Sequence, residues 1–85
     1  MPEISRFLGI IIFINFNEHA PPHFHAKYGD FLISVEIQTG IMEGKFPPRA
    51  LKLVLEWHSQ HQAELLNNWN SIMATGEYHK IQPLE

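Results

Sequence analysis

Three of the six histidines in this 85-residue chain lie within seven residues, in the segment His19-Ala-Pro-Pro-His23-Phe-His25. In an extended strand His23 and His25 point to the same side, because side chains alternate along a strand. His19 can fold back beside them across the rigid Pro21-Pro22 pair. Three imidazoles arranged in this way suit two kinds of chemistry. They can bind zinc or another transition metal, or they can serve as general acid and base in phosphoryl transfer to a ribose hydroxyl. The spacing does not choose between the two.

Other residues could complete either site. His58 and His61 lie about one turn apart on a predicted helix and would approach the histidine segment if the helix packs on its strand. For His58, a structural role in the core or at a helix end is favoured over a ligand role. Glu18 and Glu36 could each orient an imidazole by accepting a hydrogen bond.

The composition limits the partners and the compartment. The formal charge is −3 at pH 7, so a uniformly basic nucleic-acid surface is absent. Any contact with RNA must be local, and Arg6 and Lys27 are the basic residues nearest to the histidine segment. The chain has no cysteine, which excludes disulfides and thiolate metal ligands and favours a cytoplasmic protein. The apolar run from Leu8 to Ile14 is too short to cross a membrane.

The first half of the chain predicts a small antiparallel sheet of three to four strands. Residues 4–16 are rich in Ile and Phe and indicate one strand bent at glycine or two short strands. Residues 23–28 and 31–37 flank Gly29-Asp30, which is typical of a two-residue hairpin turn. A short further strand within residues 41–46 is weakened by its own glycine.

The second half predicts helix. Pro47-Pro48 marks its start, and apolar residues between 49 and 74 recur at spacings of three and four. One continuous helix would be about 40 Å long, which exceeds the width of so small a domain. The chain therefore has one long or two short helices, packed on one face of the sheet. Ser59 and Gln62 match a capping box and favour a break near residues 58–60.

The remaining elements complete a single α+β domain. Gly76 ends the helical region, and residues 77–85 are expected to form an extended tail that docks through Ile81 and Leu84. Strands followed by helices are typical of the α+β class, and residues 1–85 are long enough for one hydrophobic core only. An open edge of so small a sheet can pair with a second copy, so homo-oligomers are allowed.

Several motifs along nearly the whole chain carry a resemblance. The most specific is the block Pro21-Pro22-His23-Phe24-His25. The others are Pro2 to Phe7, Asn17 to His19, Tyr28-Gly29, Pro48 to Leu51, Leu55 to Trp57, His61, Glu64 to Leu66, and Trp69. With these features the chain resembles a family of short bacterial proteins known as domain-of-unknown-function family 4160. Arg6 and His61 fall on the family pattern whereas His58 and His79 do not, which favours His61 over His58 as a site residue.

The resemblance implies a genomic setting more than a mechanism. Such proteins look like one half of a two-gene unit with another small protein, as in a toxin–antitoxin pair. The first hypothesis is therefore a metal-independent, ribonuclease-like toxin with His23 and His25 as acid and base. His19 lies beside them, and Arg6 or Lys27 holds the phosphate. The alternative is a non-catalytic binding module. In that case His19, His23, His25 and His61 bind a divalent metal such as zinc, or the sheet docks a small cognate protein encoded nearby.

Overall fold

The computed structural model describes residues 2–84, which form a five-stranded antiparallel sheet followed by two helices. Spatial order follows chain order across the sheet, so each strand pairs with the next one in sequence. The strands are β1 (Glu3–Phe7), β2 (Ile10–Phe13), β3 (His23–Tyr28), β4 (Phe31–Glu36) and β5 (Met42–Lys45), and the helices are α1 (Pro48–Gln60) and α2 (Gln62–Thr75). Neither helix has the length and apolar character needed to cross a membrane. The predicted α+β class is confirmed.

The predicted number of strands, three to four, is too low. The apolar run of residues 4–16 is divided at Leu8 and Gly9, whose φ angles of 50° and 82° reverse the chain between β1 and β2. β5 forms despite Gly44, which adopts a φ of 109°. A Cβ atom at Gly44 would lie 2.6 Å from the carbonyl oxygen of Leu32, so only glycine fits there.

The predicted hairpin joins β3 to β4 and sets the two faces of the sheet. Gly29 has a φ of 59°, which the first position of such a tight turn requires. Along β3, Phe24 and Ala26 are completely buried. Because side chains alternate, His23 and His25 point to the opposite face. The prediction that both imidazoles share one face is confirmed.

The first helix covers the face that carries Phe24. Trp57 of α1 is completely buried, and its ring centroid lies 5.9 Å from that of Phe24 and 5.5 Å from that of Phe7. Burial of an aromatic side chain such as Phe24 contributes about 1.5–3 kcal/mol to stability. This aromatic cluster therefore packs α1 against β3, on the face of the sheet opposite to His23 and His25.

The C-terminal tail docks through Ile81, as predicted, and lies beside β1. The backbone amide of Ile81 donates to the carbonyl of Ile4 at 2.9 Å, and the Ile81 side chain is buried. The indole of Trp57 donates to the carbonyl of Gln82 at 2.9 Å. The tail thus covers the β1 edge of the sheet and ties it to α1. Met1 and Glu85 lie outside the described residues.

The helical region consists of two helices that meet at His61, one residue beyond the predicted break. His61 has a φ of −130°, and its amide donates to the carbonyl of His58. The predicted capping box is wrong. The Ser59 hydroxyl donates to the carbonyl three residues earlier, while the Gln62 side chain donates to the carbonyl of Ile37 at 2.8 Å. The two side chains therefore bond to backbone carbonyls, one within α1 and one just after β4, and not to each other.

Candidate metal centre

One carboxylate bridges the two imidazoles of β3. Glu18 lies in the loop between β2 and β3, which folds back over the strand. Its Oε1 is 2.9 Å from Nε2 of His25, and its Oε2 is 3.0 Å from Nε2 of His23. The three side chains each offer one ligand atom, and these atoms all lie within 4.8 Å of one another.

Hydrogen bonds with loop residues orient the side chains of His23 and Glu18. Nδ1 of His23 lies 2.8 Å from the carbonyl oxygen of Pro21, and since a carbonyl only accepts, this nitrogen carries a proton. Nε2 of His23 is therefore the nitrogen that faces Glu18 and the site. The Asn15 side chain donates to Oε1 of Glu18 at 2.8 Å. A hydrogen bond on the far nitrogen of a histidine, and one on a ligating carboxylate, are typical of metal sites.

Aromatic rings form the walls of the site. The ring of Phe13 stacks on His25 at 5.1 Å between centroids, and Trp69 of α2 lies 5.2 Å from His23. The side chains of Glu18, His23 and His25 are only 14%, 15% and 18% exposed. The site is recessed, so its electrostatic interactions are screened less than on an open surface.

The neighbours of Glu18 keep it ionised. Burial by itself raises the pKa of the Glu18 carboxyl. Hydrogen bonds from His25 and Asn15, with the positive charge of His23 and His25, outweigh burial and hold the pKa below its ordinary value. A carboxylate is therefore present at neutral pH, as metal binding requires.

A cavity of about 220 Å³ opens beside His23. Its lining includes His19 and Pro21 from the loop and the acidic residues Glu36 and Glu43 from β4 and β5. None of the residues that line it is Lys or Arg. Of the three clustered side chains only His23 lines the cavity, and the cavity carries more acidic than basic side chains.

The structure brings together only part of the predicted residue sets. His19 is exposed and lines the cavity without joining the cluster. His61 lies at the helix break, where its Nδ1 is 2.6 Å from Glu64 and its ring is 5.4 Å from Trp57. Arg6 is paired with Glu3 at 2.7 Å on β1, two strands away from β3.

The other predicted candidates have structural or solvent-facing positions. His58 is buried and donates from Nε2 to the carbonyl of Ile37 at 2.7 Å, in agreement with a structural role. Glu36 accepts a hydrogen bond from Thr39. Lys27 is exposed at the far end of β3. Among the predicted carboxylates, Glu18 is the one that contacts imidazoles.

Sequence reasoning missed Asn15 and Trp69 as parts of this site. The only local signal for Asn15 is its spacing of three residues from Glu18, which suits a contact within a turn. Trp69 is far away in sequence and reaches His23 only because the chain breaks at His61. The pattern of α2 predicts Trp69 on an apolar face but not what that face contacts.

The comparisons with known proteins give one match. A family model described as "Domain of unknown function (DUF4160)" matches residues 9–70, a range that includes Glu18, His23 and His25. No curated protein and no solved structure matches the chain significantly.

Proposed function

The chain belongs to the family described as domain of unknown function DUF4160, and we propose a function from the geometry of its site. Glu18, His23 and His25 bind one divalent transition-metal ion such as Zn²⁺. The observation that carries the proposal is the convergence of three ligand atoms to within 4.8 Å of one another in a recessed site.

The donor set suits such an ion. Two imidazole nitrogens and one carboxylate oxygen are common ligands of zinc and of other first-row metals. Zinc bonds of about 2.0–2.2 Å place neighbouring tetrahedral ligands about 3.3 Å apart. The contacts from the two histidines to Glu18 are 3.0 and 2.9 Å long, close to that spacing, and the ion would replace them.

Three protein ligands favour an ion that keeps an open position. Structural zinc sites are closed by four protein ligands, whereas catalytic sites use three and leave the fourth position for water or substrate. The adjacent cavity is lined by His23, one of the three ligands, and leaves room for a small molecule beside the site. The arrangement supports metal-assisted hydrolysis, in which the ion lowers the pKa of its bound water.

The hypothesis of a metal-independent ribonuclease stays a prediction, and two observations count against it. Both Nε2 atoms that would transfer protons are occupied by Glu18. The adjacent cavity carries Glu36 and Glu43, which repel a phosphate backbone.

The partner and the location are likewise proposals. The family resemblance supports a two-gene unit with a small cognate protein and toxin–antitoxin activity. The lack of cysteine supports a cytoplasmic location.

Calorimetric titration of the untagged chain with Zn²⁺ tests the metal site. We expect one ion per chain, no binding at this site in His23→Ala/His25→Ala, and at least tenfold weaker binding in Glu18→Gln. His79→Ala is the matched control, because the His79 side chain is exposed on the tail. Absence of binding in the unaltered chain, or equal binding in the double variant, contradicts the proposal.

A further inference from the structure

The two edges of the sheet differ. The β1 edge is covered by the tail, through the hydrogen bond from Ile81 to Ile4. Within residues 2–84 no strand pairs with the outer side of β5, and Glu43, Gly44 and Lys45 are exposed. An uncovered edge presents unpaired backbone groups that can pair with another strand.

Alternate residues of β5 form their backbone hydrogen bonds with β4, and the residues between them direct their backbone groups to the open edge. The amide of Glu36 donates to the carbonyl of Ile41 at 2.9 Å, so the groups of Ile41 point toward β4. The next pair is Val35 opposite Met42, and the register then continues without a shift to Leu32 opposite Lys45. Since the direction of these groups alternates along an antiparallel strand, the backbone groups of Met42 and Gly44 point to the open edge.

We infer that two copies of this chain pair antiparallel through β5, about a two-fold axis at Gly44. With Gly44 opposite itself, Glu43 of each copy lies opposite Lys45 of the other. Opposite charges in such positions stabilise a strand pair.

The charge pattern also disfavours the neighbouring registers. A two-fold axis centred on residue 43 places Glu43 opposite Glu43, and an axis centred on residue 45 places Lys45 opposite Lys45. Like charges directly opposite each other destabilise a strand pair. Met42 and Phe46, both half-buried, lie opposite each other in the Gly44 register and add an apolar contact.

This pairing makes one continuous ten-stranded sheet with both histidine faces on the same side. The β3 strands of the two copies are then separated by five strand spacings, or about 24 Å. The interface consists of one short strand from each copy. We therefore expect a dimer that dissociates on dilution rather than an obligate one.

Sedimentation equilibrium of the untagged chain over a range of concentrations tests this inference. The mass of one chain is 9.9 kDa, and we expect reversible formation of a species of twice that mass. Glu43→Lys places lysines opposite lysines, and Lys45→Glu places glutamates opposite glutamates. Each single variant should raise the dimer dissociation constant at least tenfold. Lys27→Glu, on β3 inside the sheet, is the matched control and should leave dissociation unchanged.

Two rescue experiments test the register itself. The double variant Glu43→Lys/Lys45→Glu restores the opposite pairs and should dimerise like the unaltered chain. An equimolar mixture of the two single variants should form heterodimers, since each then meets the complementary charge. A monomer at all concentrations, dimerisation of the single variants at unaltered strength, or failure of both rescues overturns the inference.

Discussion

Oε1 of Glu18 accepts a hydrogen bond from Nε2 of His25 at 2.9 Å, which joins a loop residue to the middle strand of the sheet. The same carboxylate contacts His23, so a single negative charge lies between two imidazoles. In the proposed metal complex these nitrogens bind the ion instead, and protons that face Glu18 must leave. Metal binding is thereby coupled to proton release.

The first prediction is that zinc affinity decreases as the pH is lowered. A protonated imidazole cannot bind a metal, so protons compete with zinc for both histidine ligands. We expect binding at pH 5.5 to be at least tenfold weaker than at pH 7.5. Titrations in buffers of different ionisation enthalpy should show proton release on binding. Equal affinity at both pH values would contradict a site with two histidine ligands.

The second prediction concerns the stability of the metal-free protein. Because the pKa of Glu18 is lowered by folding, its ionised form stabilises the fold above the ordinary carboxyl range, and this contribution disappears as pH falls through the lowered pKa. Glu18→Gln should therefore lower the free energy of unfolding at pH 7, with a smaller difference in acid.

Urea denaturation with a chelator present, at pH 7 and at about pH 3, measures both differences. Glu77→Gln, an exposed carboxyl on the tail, is the control and should show no such dependence. A Glu18→Gln deficit of the same size at both pH values would mean that the ionised carboxylate is not what stabilises the loop.

The third prediction separates a positioning residue from the ligands. The Asn15 side chain donates to Oε1 of Glu18 at 2.8 Å, and Asn15 is not one of the three proposed metal ligands. Loss of such a supporting hydrogen bond typically weakens metal binding 10–100-fold without abolishing it. Asn15→Ala should therefore bind one zinc ion with about tenfold lower affinity. Asn17→Ala, an exposed neighbour, should match the unaltered chain.

Much of the fold follows from local patterns. Alternation around Phe24 predicts the faces of β3, and Gly29-Asp30 predicts its hairpin. The extra strands are harder to predict, because a turn at Leu8 and Gly9 inside an apolar run has no polar marker. The capping box fails for a different reason: Gln62 finds a partner on Ile37, and contacts between distant elements override a local motif.

The candidate site is predictable only where its residues are close in sequence. The spacing of His23 and His25 defines the histidine pair, since a strand aligns alternate residues. The role of Glu18 depends on how its loop folds back, and several of its neighbours offer polar groups as well. His61 fits the family pattern yet packs against Trp57, because the helix break turns it toward the core.

The fourth prediction tests the division between core and site histidines. His58 is buried and donates to the carbonyl of Ile37, so His58→Ala removes a hydrogen bond and leaves a cavity. We expect a loss of about 2–3 kcal/mol in the free energy of unfolding, with unchanged zinc stoichiometry. Calorimetry and urea denaturation measure the two quantities. If His58→Ala kept its full stability but lost zinc binding, His58 would be a metal ligand and the prediction would be wrong.

The central claim is that Glu18, His23 and His25 bind one metal ion. Zinc K-edge absorption spectroscopy of the loaded, untagged chain tests it most directly, because the spectrum reports the ligands themselves. We predict two imidazole nitrogens and oxygen ligands at about 2.0–2.2 Å, and no zinc retained at this site in His23→Ala/His25→Ala. A spectrum without imidazole ligands, or one that the double variant leaves unchanged, would contradict the claim.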